Sequence, residues 1–198
     1  MVQNKDSYLN LIRLWLSDYR FNHSINVANS AVKLAKKYGA DIEKAYIAGL
    51  LHDVMKEESY DVQRDFIESD GYKMTELEIL SKSVYHQMSG AKYCEAELGI
   101  CDKDILNAIR YHTTGRRDMT LIEKIIFVAD FISAERDYSD VDIMREKADN
   151  NLDEAMLYSL KYTINNLTTK SVVIHPDTVE CYNWIVENNL KRDELWTH

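Results

Sequence analysis

The sequence predicts an all-α protein. Apolar residues return with a helical period in nearly every segment. The chain carries one proline and six glycines in 198 residues, few for a fold built from strands and tight turns. Cap residues stand where the periodic stretches begin, among them two Thr-x-x-Glu boxes.

The first helix is expected over 5–18, with Tyr8, Leu11, Ile12 and Trp15 on one face. A second spans 22–38, where Val27, Ala31, Leu34 and Tyr38 align and Gly39 stops it. Asp41 caps a third, whose stripe is Ala45, Ala48, Gly49 and His52. Residues 59–74 read as a short helix followed by a loop around Gly71. Thr75 and Glu78 box the start of another short helix, and a helix over 86–98 ends at Gly99. Asp102 caps the next, with Ile105, Ile109 and His112 in line, and TTGRRDM follows as a loop. Thr120 and Glu123 open a helix that aligns Ile122, Ile126 and Asp130. Ser139 begins another, and Asn151 with Glu154 begins a long one to 169. Pro176 suits the first turn of a last helix with Val179, Tyr182 and Val186 inward. SVVI before it is the one strand-like run. The total is a single domain over 1–198 of roughly eight to ten helices.

Apolar residues at 45% make the chain globular, and the net charge of −9 argues against a generic nucleic-acid surface. An anionic small molecule remains compatible if local cations bind it against the overall field. The longest apolar run, AYIAGLL, is too short to span a membrane. The N-terminal stretch carries Lys5, Asp6 and Arg13, so it does not read as a signal peptide. Cys94, Cys101 and Cys181 form no C-x-x-C and fit reduced thiols in the cytoplasm. The apolar stripe LNLIRLWL serves either the core or a homodimer contact.

Six residues carry the chemistry: His23, His52, Asp53, His86, His112 and Asp130. His23 points inward with Val27 and Ala31 at four-residue steps; His52, His112 and Asp130 lie on apolar stripes in the same way. A lone inward histidine is ordinarily a satisfied core residue. An inward aspartate is rarer, because an isolated buried carboxylate is expensive. Several such residues on separate helices need one explanation, and imidazoles and carboxylates converging on a divalent cation supply it.

The order His23, His52–Asp53, Asp130, all on helices, resembles the HD-domain metal-dependent phosphohydrolases. His86 and His112 look like the two extra histidines of their dinuclear branch. HDVMKEE, YHQMSGAKY, IRYHTTGRRDMTLIEKIIFVADFISAERD and IHPDTVECYNW together resemble the YqeK family of HD proteins, which hydrolyse diadenosine tetraphosphate symmetrically to two ADP. The chain has HDVMK where the family usually reads HD-Tyr-Ala-Lys, and Ser133 and Ala134 where it usually has Glu-Pro.

The resemblance implies an HD-domain helical bundle with a metal-binding core over 20–135 and C-terminal helices over 139–190 completing the nucleotide pocket. His23, His52, Asp53 and Asp130 would hold a first metal. His86 and His112 would complete a second metal site or face the phosphates directly. The resemblance suggests iron, while ligands without thiolate also suit manganese or zinc. A bound divalent cation would acidify a water and so arm it against the polyphosphate chain. Asp53 and Lys56 are the catalytic candidates. Lys56, Arg136 and Arg116, or Arg117 beside it, are the cations expected near the departing ADP. Thr113 and Thr114 offer hydroxyls to a phosphate or serve the loop. His175 touches ribose or base, or caps the last helix. The partner is therefore a dinucleoside polyphosphate, with neither nucleic acid nor membrane involved. The alternatives are another HD nucleotide phosphohydrolase, although the GYP of the cyclic-dinucleotide enzymes is absent, and a metal-dependent nucleotide sensor without turnover.

Overall fold

The computed structural model describes residues 5–195, with side chains from 6 to 189. The first four residues of the N-terminal stretch, and His198, lie outside them. Eleven α-helices and one 3-10 turn form among the described residues, with no strand. They are α1 (Lys5–Trp15), α2 (Asp18–Tyr38), α3 (Ile42–Leu51), α4 (Tyr60–Glu68), α5 (Glu76–Leu80), the turn Lys82–Val84, α6 (Tyr85–Ala96), α7 (Lys103–Arg110), α8 (Leu121–Ile132), α9 (Val141–Asn150), α10 (Leu152–Thr169) and α11 (Pro176–Leu195). The bundle is all-α as expected. Its eleven helices are one more than the expected eight to ten, because all the periodic segments form, including the two short ones between Tyr60 and Leu80, each capped by a hydroxyl from Ser59 or Thr75.

The caps act where the sequence places them. Asp41 accepts from the backbone N–H of Glu43 and Lys44 at 2.9 and 3.0 Å. Both Thr-x-x-Glu boxes close reciprocally. Gly39 takes φ +75° and returns its N–H to Ala35, ending α2. Several boundaries move. α1 ends at Trp15 rather than 18. α2 begins at Asp18 rather than 22, because the Ser17 side chain accepts from the N–H of Arg20 at 3.4 Å and is anchored to Glu57 at 2.6 Å. α9 begins at Val141 rather than Ser139, since Tyr138 and Ser139 still belong to the preceding loop. SVVI is irregular chain between α10 and α11.

α8 runs through the centre, packed by α2, α3, α7, α9 and α10. Ile125, Ile126, Phe127, Val128 and Ala129 are all fully buried on it. Each large one contributes about 1.5–3 kcal/mol on leaving water. α2 and α3 approach so closely at Gly49 that a Cβ there would lie 2.8 Å from the Cα of Ala28. That contact brings the end of α3 against the first half of α2, where His23 sits. Of the α1 stripe, Ile12 and Leu16 enter the core while Leu14 is 84% exposed. Cys94 and Cys181 are buried free thiols and Cys101 an exposed one. No helix among the described residues is long and apolar enough to cross a membrane.

Candidate metal centre

The structure brings all six sequence-predicted ligands into one buried cluster. His23 projects from α2, His52 caps the end of α3 with Asp53 in the next turn, and His86 stands at the start of α6. His112 lies just past α7, and Asp130 lies near the end of α8. His23 Nε2 is 3.2 Å from His52 Nε2 and 3.2 Å from Asp130 Oδ1. His86 Nε2 is 3.2 Å from His112 Nε2. Asp53 divides its oxygens between the two groups. Oδ2 lies 3.7 Å from His23 and 3.4 Å from His52, while Oδ1 lies 3.4 Å from His86 and 3.5 Å from His112. Two triples, His23–His52–Asp130 and His52–Asp53–His112, offer ligand atoms within 4.8 Å of one another.

Burial and charge compete here. Burial alone would push the Asp53 carboxyl up, but His52, His112 and His86 hold it well below the usual carboxylate range. Asp130 is likewise opposed by burial and still lowered, by His23 and Arg136. Burial lowers His86, with Lys56 adding to the effect, and burial lowers His112. His23 moves the other way: burial would lower it, but Asp130, Glu135 and Asp53 raise it.

These residues fit a divalent cation. Asp53 Oδ1 is buried and has no hydrogen-bond partner, a condition that costs about 1–3 kcal/mol unless something positive faces it. Two carboxylates held ionised offset the charge of such an ion. Imidazole and carboxylate donors without thiolate suit first-row divalent metals.

The other predicted residues separate into two sets. Lys56 Nζ reaches His86 Nε2 at 3.0 Å and lies 4.0 Å from Asp53 Oδ1. Burial lowers its pKa. Arg136 donates from Nε to the Asp130 carbonyl at 2.9 Å and from Nη2 to its carboxylate. Thr113 Oγ1 lies 3.3 Å from His86 Nε2, whereas the Thr114 hydroxyl is buried and tied to Gln87 and the Gly115 carbonyl. These residues flank the cluster, apart from Thr114. Arg116 instead pairs with the buried Glu123 at 2.9 Å, fastening the TTGRRDM loop to the start of α8, and Arg117 faces Glu187 at 3.8 Å. His175 accepts from the N–H of Asp177 at 3.2 Å, a cap on α11. Among the described residues no hydrogen bond or ion pair joins Arg116, Arg117 or His175 to the cluster.

Three participants escape a reading by motif. Arg20 donates to Asp53 Oδ2 at 2.7 Å. It lies one turn before His23, a spacing visible in the sequence but common to many surface arginines. Gln87 accepts from the N–H groups of Thr113 and Thr114 at 3.0 and 3.2 Å, tying the strip after His112 to the helix that bears His86. Glu135 accepts from His23 Nδ1. It lies in a loop, where periodicity carries no signal.

The HD domain family matches residues 20–135 of the chain. The symmetrical bis(5'-nucleosyl)-tetraphosphatase of Bacillus subtilis is 37% identical over 186 residues, covering 94% of this chain and all of that one. The enzyme of the same description from Halalkalibacterium halodurans is 40% identical over 92% of this chain and 97% of its own. Among solved structures, a protein from Clostridium acetobutylicum described as a predicted HD superfamily hydrolase involved in NAD metabolism matches with a TM-score of 0.92 at 35% identity, over 95% of this chain and 100% of its own.

Proposed function

Because the chain belongs to the HD-domain family, on the branch of the symmetrical bis(5'-nucleosyl)-tetraphosphatases, we propose that it hydrolyses diadenosine tetraphosphate symmetrically to two ADP at the His23–Asp130 cluster. The observation that carries this is the convergence of His23, His52, Asp53 and Asp130 in a chain alike over more than nine-tenths of its length to enzymes named for that reaction. A divalent cation bound there lowers the pKa of a water and polarises a phosphoryl oxygen. Iron is the ion the resemblance suggests; manganese and zinc suit the same donors.

His23, His52, Asp53 and Asp130 would hold the cation. His86 and His112 face Asp53 Oδ1 and would take a second cation or the phosphates. The water's oxygen bonds to one of the two inner phosphorus atoms, and the oxygen bridging them leaves with the other ADP. Asp53, held ionised, accepts a hydrogen bond that orients the water. Lys56 and Arg136 face the phosphate chain and offset the charge that builds on the departing ADP. Thr113 adds a hydroxyl beside His86. The C-terminal helices over 139–190 would complete the nucleotide pocket, and the enzyme would meet its substrate in the cytoplasm. The exposed Leu14 of α1 leaves a face for a second copy.

Incubation of the metal-loaded protein with diadenosine tetraphosphate tests the reading. Two ADP as the sole products support it; AMP plus ATP, or no turnover, overturns it. NAD belongs in the same assay, because the Clostridium acetobutylicum protein is described by NAD metabolism. Turnover of NAD in place of the tetraphosphate would move the substrate to another phosphoanhydride.

A further inference from the structure

All four histidines of the cluster turn Nε2 inward, but they are held from behind in different ways. His52 and His112 stand at or just beyond the C-terminal ends of α3 and α7. Their Nδ1 atoms reach the carbonyls of Gly49 and Ile109, three residues back, at 2.7 and 2.8 Å. Last-turn carbonyls lack intrahelical donors and are free to accept. His23 has no such recourse. It lies in the interior of α2, where the backbone carbonyls are engaged in the helix itself. Its Nδ1 meets the carboxylate of Glu135, 112 positions along the chain. Glu135 is itself fixed, by Asn26 Nδ2 at 2.7 Å and Ser133 Oγ at 2.6 Å. A carboxylate only accepts, so the ring must carry its hydrogen on Nδ1.

We propose that Glu135 is the positioning residue for His23: it fixes the tautomer and ring angle that leave the Nε2 lone pair facing the cation, and its charge strengthens that donor. Partners behind a ligating histidine commonly govern metal affinity by 10–100-fold. The inference rests on the metal-site reading above.

Mn2+ binding to the metal-stripped, full-length protein, followed by the EPR signal of free Mn2+, separates the two. The wild type is expected to bind, and His23→Ala to bind far more weakly. If His23→Ala binds as tightly as the wild type, the metal-site reading falls and the inference with it. With that control in place, Glu135→Ala is expected to raise Kd by about 10–100-fold. Glu135→Gln keeps an acceptor for Nδ1 but loses the charge, and is expected to lie between the two. In the His23→Ala background, Glu135→Ala should change Kd by less than about threefold, because the ring it positions is gone. Wild-type affinity in both Glu135 variants overturns the inference alone. So does an equal loss with and without His23, which would make Glu135 a general electrostatic or structural contributor. Should Glu135→Ala fail to fold, the near-isosteric Glu135→Gln, alone and with His23→Ala, carries the same comparison.

Discussion

Arg20 and Asp53, 33 residues apart, form a hydrogen-bonded ion pair at 2.7 Å, with the carboxylate almost wholly buried and the guanidinium at the mouth of the cluster. The pair holds the very oxygen that faces His23 and His52. Arg20→Ala should therefore destabilise the metal-free protein by about 2–3 kcal/mol, toward the lower end for a broken buried pair because Arg20 retains some solvent. A saturating divalent cation offsets the unpaired buried carboxylate, so the deficit should shrink when Mn2+ is present. Urea unfolding with and without Mn2+ reads both values; an unchanged deficit would mean that Asp53 does not face the ion.

His52→Ala and Asp53→Ala each remove a ligand at the centre of the cluster. Both should abolish bound metal and hydrolysis together. They also forfeit the stabilisation that a native-state ligand supplies, about 2.7 kcal/mol at a hundredfold excess over Kd. Elemental analysis of the purified variants is the check. Full metal in Asp53→Ala would overturn the ligand assignment.

Lys56→Ala separates holding the ion from using it. Metal content should survive, since Lys56 is not among the residues that would hold the ion, while turnover falls by roughly 100-fold with the loss of one cation at the phosphate chain. Turnover equal to the wild type would remove Lys56 from the mechanism.

Metal affinity should depend on pH through His23. Its pKa is raised above the ordinary value of 6.5 despite burial, because Asp130, Glu135 and Asp53 surround it. The metal-free protein thus keeps a proton on this ring at and somewhat above that pH, and binding must expel it. Affinity should rise with pH through the raised His23 value and level off above it. Calorimetry in buffers of different ionisation enthalpy would count the released proton; a flat profile between pH 6 and 8 would contradict the assignment.

Gly115 ties the loop after His112 to α11. It takes φ +64°, and a Cβ there would lie 2.5 Å from Cys181 Sγ. Gly115→Ala should cost about 1–3 kcal/mol from backbone strain and the clash. Adding Cys181→Ala should recover part of that and leave the backbone term, as thermal melts of the single and double variants would record.

Helix class, caps and the six converging residues were legible because each rests on local rules. Asp41, Thr75 and Thr120 announce helix starts by their chemistry, and His23 and Asp130 announce themselves by being polar on apolar stripes. Arg116 and His175 stayed open in the sequence for a shared reason. A cation beside a histidine motif and a histidine before a last helix look alike whether they serve a ligand or a helix end, and the structure assigns Arg116 to Glu123 and His175 to the start of α11. Glu135 and Gln87 stayed hidden because their partners lie 112 and 26 residues away. Only tertiary geometry pairs them.

The anchoring of His52 and His112 on carbonyls of their own helical turns bears on how the protein loses and regains its ion. Two of the four rings keep their aim for as long as α3 and α7 stay wound, whatever fills the space before them. An empty centre therefore keeps much of its shape, and one ion can replace another without the chain refolding. The occupant found in a cell should then follow which ions that cell supplies.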